Sequence, residues 1–423
     1  MLKKTSAFVG IAAVAALLAG CSSSGSANSG STTVSFSGQT QEQAIWEPLF
    51  QAFEKANPGI KVDARFTPND SYPQLVQTQL QGGQAADVIQ TTPGTGGGLA
   101  ALNLASGGKL ADLSKGSWTS SLPASTKPLV SLDGKVYAYP TDVAPLFVAY
   151  NPDVFSKAGV QVPKTFQELT TACTKIADSG ITPISVAGGS FQNVSILLQT
   201  IAANDVFGQD PDWNQKKSSK SVSFADSKNW QKVLSDVEKM KAAKCFAQDI
   251  QGVKAPVHLQ RFAAGQAAMA VIPAQAISQI RSSAPANFKF SSFAFPGDTA
   301  DETRVSASSG IALVVNAKAK DNAAAMKLLD FLSQPEQRAS YAEHAGTIAP
   351  NAGPNNSDIY PEVLEPLKPY MDPSKVLTLN YLFWPNAGVA QQLATSAQGL
   401  FTGQKTSDQI LSDTDKAWDA NSK

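Results

Sequence analysis

Phe53-Glu54-Lys55-Ala56-Asn57-Pro58-Gly59-Ile60-Lys61-Val62 is the stretch on which the fold turns. Upstream of it Ile45, Trp46, Leu49, Phe50 and Phe53 recur at helical spacing, so an amphipathic helix runs into Asn57-Pro58-Gly59 and stops there. Downstream, Ile60 to Phe66 reads as a strand. On the N-terminal side Thr33-Val34-Ser35-Phe36-Ser37 alternates as a strand. On the C-terminal side a second helix from about Tyr72 ends at Gly82-Gly83, and Asp87-Val88-Ile89-Gln90-Thr91 follows as an apolar strand. Strand, helix, strand, helix, strand predicts a parallel sheet with helices on its faces.

The alternation restarts after Pro140. Phe147 to Tyr150 reads as a strand, and Phe166, Leu169, Ala172, Cys173 and Ile176 stripe one helix face before Gly180. Ile184 to Val186 and Met269 to Ile272 are further strands of this second unit. Ile311 to Val315 is a late buried strand followed by a helix around Ala323 to Leu332, and the tail from Ala387 is helical. A chain of 423 residues exceeds the ~250 to 300 at which one core stops growing, so two lobes are expected. With 43% hydrophobic and 16% charged residues the bulk is globular.

Met1 to Cys21 carries Lys3 and Lys4, an apolar run from Ala7 to Ala19, and Leu18-Ala19-Gly20-Cys21 at its end. This is an export signal too short to span a bilayer. Small residues before a cysteine resemble the bacterial lipobox, so residues 1–20 are read as a cleaved leader and Cys21 as the acylated N-terminus. The Ser/Gly-rich segment to residue 32 is then a tether, holding the domain about 20 Å from the membrane. Of the three cysteines, Cys173 and Cys245 remain. In an oxidising compartment they are read as a disulfide rather than as two separate buried thiols, stabilising the fold by roughly 4 kcal/mol.

The 34 Lys+Arg balance 34 Asp+Glu, and removing Lys3 and Lys4 leaves 32 basic residues against 34 acidic. No Lys/Arg-rich stripe appears, so nucleic acid is not an expected partner. Only His258 and His344 are available, far apart, so HExxH zinc chemistry is excluded; neither Gly-x-Ser-x-Gly nor a Walker A loop is present. No metal site and no cofactor are expected. Gly94-Thr95-Gly96-Gly97-Gly98 offers backbone N–H groups to an anion, but it misses the dinucleotide spacing at Leu99 and reads better as a flexible loop at a sheet edge. Asp142 stands where the two units join, suited either to hinge hydrogen bonding or to a ligand contact.

The lipobox, the tether, Phe53 to Val62 and Ala86-Asp87-Val88 together resemble the extracellular solute-binding proteins of ABC importers, family 1, the sugar-binding type. Gly134-Lys135-Val136-Tyr137-Ala138-Tyr139-Pro140 leading to Tyr150-Asn151, Phe262 to Met269, and Ser333-Gln334-Pro335-Glu336 extend the resemblance across the mature chain. It implies two α/β lobes, each a mostly parallel sheet flanked by helices, with ligand in the cleft between them. Lobe one would be 33–143 plus 305–347, and lobe two 144–304 plus 348–423. Crossovers would lie near Asp142 to Phe147, Pro296 to Ser309 and Thr347 to Pro350. It also implies a non-catalytic, monomeric receptor that hands a mono- or oligosaccharide to a membrane permease, anchored by lipid to the outer face of the bacterial cell membrane.

Open α/β sheets bind ligand beyond the carboxyl ends of their strands. On that rule lobe one supplies Gln39, Thr40, Gln41, Thr91 and Thr92, and lobe two supplies Ser190, Phe191, Gln192 and Asn193. Trp384, just before the C-terminal helical run, joins Phe191 as a stacking candidate for the C–H face of a pyranose, and Asp142 joins the amides as a hydrogen-bond candidate. Maltose-type members place an aromatic where Thr91 stands and an acid where Ala144 stands, so this cleft departs from the maltose pattern. The competing readings are a glycan-hydrolysing surface lipoprotein and a receptor for a non-sugar solute.

Overall fold

The computed structural model describes residues 32–69, 71–123, 126–353 and 357–420. The leader, Cys21 and the tether up to residue 31 lie outside the described residues. Strand β1 (Thr32–Gln39) pairs in parallel with β2 (Ile60–Thr67) and β3 (Val88–Thr91), joined by helices α1 (Gln43–Ala56) and α2 (Tyr72–Gly82). The strand Ala312–Val315 then adds antiparallel to β3, and the two-residue strand Tyr139–Pro140 closes the far edge. Val34, Phe36, Phe53, Val88 and Ile89 are fully buried between this sheet and its helices. The apolar stripe around Phe53 is therefore core, as its spacing requires.

Asp87 stitches this lobe together. Its Oδ2 accepts from the Ser35 backbone N–H at 2.9 Å and the Ser35 hydroxyl at 2.6 Å, while Oδ1 accepts from Lys320 N–H at 2.7 Å. A buried carboxylate is tolerated only when its lone pairs are occupied, and here three donors occupy them.

The second sheet is mixed. Ala144–Tyr150 is central and runs antiparallel to Ala267–Pro273, to Val305–Ser308 and to Ser291–Phe293. Thr182–Ser185 and Val376–Leu377 extend the sheet in parallel with their neighbours. Its core gathers Phe207, Trp213, Phe224, Trp230, Trp384 and Trp418 in edge-to-face and tilted contacts. Cys173 and Cys245 form a disulfide inside this core, their Cα atoms 4.8 Å apart and both side chains fully buried. Asp236, which a helical context alone places in solvent, is buried at 1% exposure between Lys232 (2.6 Å) and Lys239 (2.7 Å).

Strand pairing sharpens the crossovers. Tyr139–Pro140 belongs to the first sheet and Ala144–Tyr150 to the second, so the first crossing is Thr141 to Val143. Val305–Ser308 pairs in the second sheet, not in lobe one as the expected boundary at 305 requires; the chain passes over between Ser309 and Ile311. The third crossing follows the helix Pro335–Ala345, which packs on α1. Gly346 turns the chain at φ +73°, and Ile348 pairs with Val143.

Candidate ligand-binding cleft

The three crossings bring buried polar groups together. The hydroxyls of Thr141 and Ser309 are shared between Asp142 Oδ1, at 3.3 and 3.2 Å, and the carbonyl of Ile311. Asp142 Oδ2 is buried and has no hydrogen-bond partner among the described residues. The same holds for Tyr341 Oη, Thr347 Oγ1 and Glu42 Oε2. Burial pushes the Asp142 carboxyl up to about 6, opposed by the neighbouring Thr347, Ser309 and Thr141 hydroxyls and the Gly310 N–H. Burial likewise pushes Glu42 up to about 7 against a hydrogen bond from Gln90. The Tyr341 phenol is raised by burial first and then by the negative charges of Asp142 and Glu42, opposed by the Thr141 hydroxyl. Buried groups of this kind have hydrogen-bonding capacity to offer a polar solute.

On lobe one, the carboxyl ends of β1 and β2 form a polar rim backed by Gln90 of β3. Gln90 Oε1 accepts from the Gln39 N–H and the Trp46 indole N–H, both at 3.2 Å. The Asn69 amide, after β2, donates to Gln39 Oε1 at 2.8 Å and Gln41 Oε1 at 2.9 Å. With their oxygens occupied, Gln39 and Gln41 keep their amide N–H groups as donors, and Thr40 is exposed beside them. Asn69 was missed by the sequence reading, although the same strand-end rule points to it.

Thr91 and Thr92 do not extend that rim. Thr91 lies within the sheet at 5% exposure, its hydroxyl donating to Ala312 O at 2.9 Å, and Thr92 packs beneath Gly97. The expectation that the Thr91 hydroxyl is presented to ligand is corrected: pairing with the Ala312–Val315 strand turns it inward.

In lobe two, Ser190 precedes the helix Phe191–Ala202. Gln192 and Asn193 lie one turn before Ile196 on the same helix face, and Ile196 touches the lobe-one core, so that face looks across the junction. Asn193 Oδ1 is buried and unpaired among the described residues. Phe191 is half-buried, leaning on the lobe-two core.

Trp384 is different. It is fully buried, its ring 5.5 Å from Phe224 and 6.1 Å from both Trp230 and Trp418, and its indole N–H donates to Asn214 Oδ1 at 3.0 Å. The stacking role expected for it is corrected, because the side chain is fully enclosed by other aromatic rings and its polar edge is already engaged. Its neighbour Phe383 is 37% exposed. Gly94 to Gly98 is not a free anion loop either, since the N–H groups of Thr95 and Gly96 donate to Leu382 O at 2.8 and 3.0 Å. Among the described residues no group of His, Cys, Asp and Glu is arranged to hold a metal ion, and no helix is long and apolar enough to cross a membrane.

Comparison with known proteins agrees with this architecture. The multiple sugar-binding protein of Streptococcus mutans is 24% identical over 353 residues, 80% of each chain. The melibiose/raffinose/stachyose-binding protein MelE of Bacillus subtilis is 28% identical over 220 residues, half of each chain. Among solved structures, RafE in complex with raffinose superposes with a TM-score of 0.76 at 20% identity, covering 93% of this chain and all of that one. The model of the bacterial extracellular solute-binding proteins matches residues 37–339, and with two sheets joined at a polar junction this chain belongs to that family.

Proposed function

We propose that the cleft captures an oligosaccharide and delivers it to the permease of an ABC importer. The observation that carries this reading is the buried polar cluster of Asp142, Tyr341 and Thr347 at the chain crossings, whose Asp142 Oδ2, Tyr341 Oη and Thr347 Oγ1 have no hydrogen-bond partner among the described residues. Hydroxyl-rich ligands donate and accept at once, and a site of mixed carboxyl, hydroxyl and amide groups suits them. Gln39, Thr40, Gln41 and Asn69 form the lobe-one rim, with Gln192 and Asn193 facing them. Phe191 and Phe383 are the stacking faces in place of Trp384. Relatives that bind melibiose, raffinose and stachyose favour a short α-galactoside-type oligosaccharide. The protein works outside the cytoplasm, as its family does. In this reading it is monomeric and non-catalytic, held to the membrane through acylated Cys21.

A thermal-shift and calorimetry panel of melibiose, raffinose, stachyose, a polyamine and an oligopeptide tests this. A cognate sugar at 100 times its Kd stabilises the fold by about 2.7 kcal/mol, and the sugar is recovered unhydrolysed. Stabilisation by the polyamine or peptide alone overturns the sugar assignment, and released monosaccharide overturns the non-catalytic one.

A further inference from the structure

The segment Leu379 to Trp384 belongs by sequence to lobe two, yet it is rooted in both lobes. It leaves the second sheet at Leu377, which pairs with Ser306 beside the second crossover. Leu379 and Leu382 then enter the lobe-one core, at 4% and 0% exposure. Two residues after Leu382, Trp384 is at the centre of the lobe-two aromatic cluster. Asn214 of lobe two holds the segment at both ends, donating to Asn380 O at 2.9 Å and accepting from the Trp384 indole at 3.0 Å. Tyr381, between these anchors, packs against both cores.

The lobe-one seat for this segment is the glycine loop. Thr95 N–H and Gly96 N–H converge on Leu382 O, and the Thr95 hydroxyl reaches Trp384 O at 2.7 Å and Leu382 O at 3.3 Å. The loop is itself held, since Gly94 N–H donates to Leu129 O at 2.7 Å and the Asn103 amide donates to Thr95 O at 2.9 Å. A Cβ at Gly94 would run into Leu382 O, and one at Gly96 into Tyr381 O. The glycines are there because another backbone lies against them.

We propose that Leu379–Trp384 is a strap seated in the Thr95–Gly96 loop, a further connection between the lobes that fixes the pivot of cleft closure. Any rotation that separates the lobes here must either pull Leu382 from one core or Trp384 from the other. Motion therefore concentrates at the bonds flanking Phe383 and at the three crossovers. The strap raises the population of the binding-competent arrangement, and its loss lowers the apparent affinity for solute by the fraction lost.

The test uses hydrogen exchange and X-ray scattering on the full chain and on Thr95→Val and Gly96→Val. In the unmodified protein the Thr95 and Gly96 amides exchange at least about tenfold more slowly than the exposed Gly98 amide. Thr95→Val, which keeps the shape and removes the hydroxyl, speeds exchange at Gly96 and enlarges the radius of gyration without solute. Gly96→Val enlarges it further, and both variants bind the solute several-fold more weakly. Thr95 and Gly96 amides that exchange as fast as Gly98 overturn the strap, as do folded variants with unchanged scattering. If Gly96→Val does not fold, Thr95→Val decides alone. Exchange and solute-free scattering need no ligand, so failure of the strap is distinguishable from failure of the sugar assignment.

Discussion

Asp142 is held in a place that works against its charge. Its carboxyl is raised from 3.8 to about 6 by burial, so the folded state holds the proton more tightly than the unfolded chain does. Its contribution to stability is complete below about pH 4 and is lost as the pH rises through about 6. Glu42, raised to about 7, extends the same trend upward. Asp142→Asn is therefore expected to raise stability at pH 8 by up to about 3 kcal/mol, with the gain vanishing below about pH 4. Denaturant unfolding of both proteins at the two pH values checks it, and an equal difference at both refutes it. An acid that destabilises the fold at neutral pH fits a role in ligand capture or hinge motion. Its position at the joining of two units was legible in the sequence, but its burial was not, because three chain crossings distant in sequence create it.

The aromatics show the same limit of legibility. Trp384 and Phe383 are adjacent, and no local pattern says which one the cores take. In the structure Trp384 is enclosed and Phe383 is not. Trp384→Ala should thus cost about 3 to 5 kcal/mol of stability by emptying the aromatic cluster. Phe383→Ala should leave the melting temperature nearly unchanged and weaken sugar binding, a split that calorimetric melting and titration together resolve. Equal melting temperatures for the two variants would sink the assignment.

At the scale of elements, periodicity carried most of the information. The stripe from Ile45 to Phe53 is α1, and the Asn57-Pro58-Gly59 stop falls one residue past its end. Cys173 lies on the inward face with Leu169 and Ile176, so a helix stripe already turned its sulfur toward the core, whereas the partner at a separation of 72 residues is a tertiary fact. Reduction of this bond should lower stability by about 4 kcal/mol in the chain-entropy account. Unfolding with and without reductant measures it, and coincident curves would show that the bond contributes nothing. The strand directions of lobe two were less legible. Short buried runs such as Met269 to Ile272 carry no signal of direction, and the antiparallel pairing with Ala144–Tyr150 is decided by connection geometry.

At the scale of the whole molecule, the cores of the two lobes meet through the crossings, the strap, the face of the Phe191–Ala202 helix and the packing of Ala276–Ser283 on Pro335–Ala345. Such a joint leaves rotation about the crossings and the strap as the softest motion, because a turn about that line keeps Leu382 and Trp384 in their own cores. A solute bound between lobes contacts both rims only when they approach, so it favours the closed arrangement by its differential affinity. The cognate sugar should accordingly reduce the radius of gyration in X-ray scattering, saturating with the same midpoint as calorimetric binding. Asp142→Ala should lose on the order of 1.5 to 3 kcal/mol of affinity, since deleting the acid removes one hydrogen-bonding partner from a buried polar floor. If a sugar binds with measurable heat and scattering shows no compaction, capture does not proceed by lobe closure, and the ligand must then be held by one rim alone.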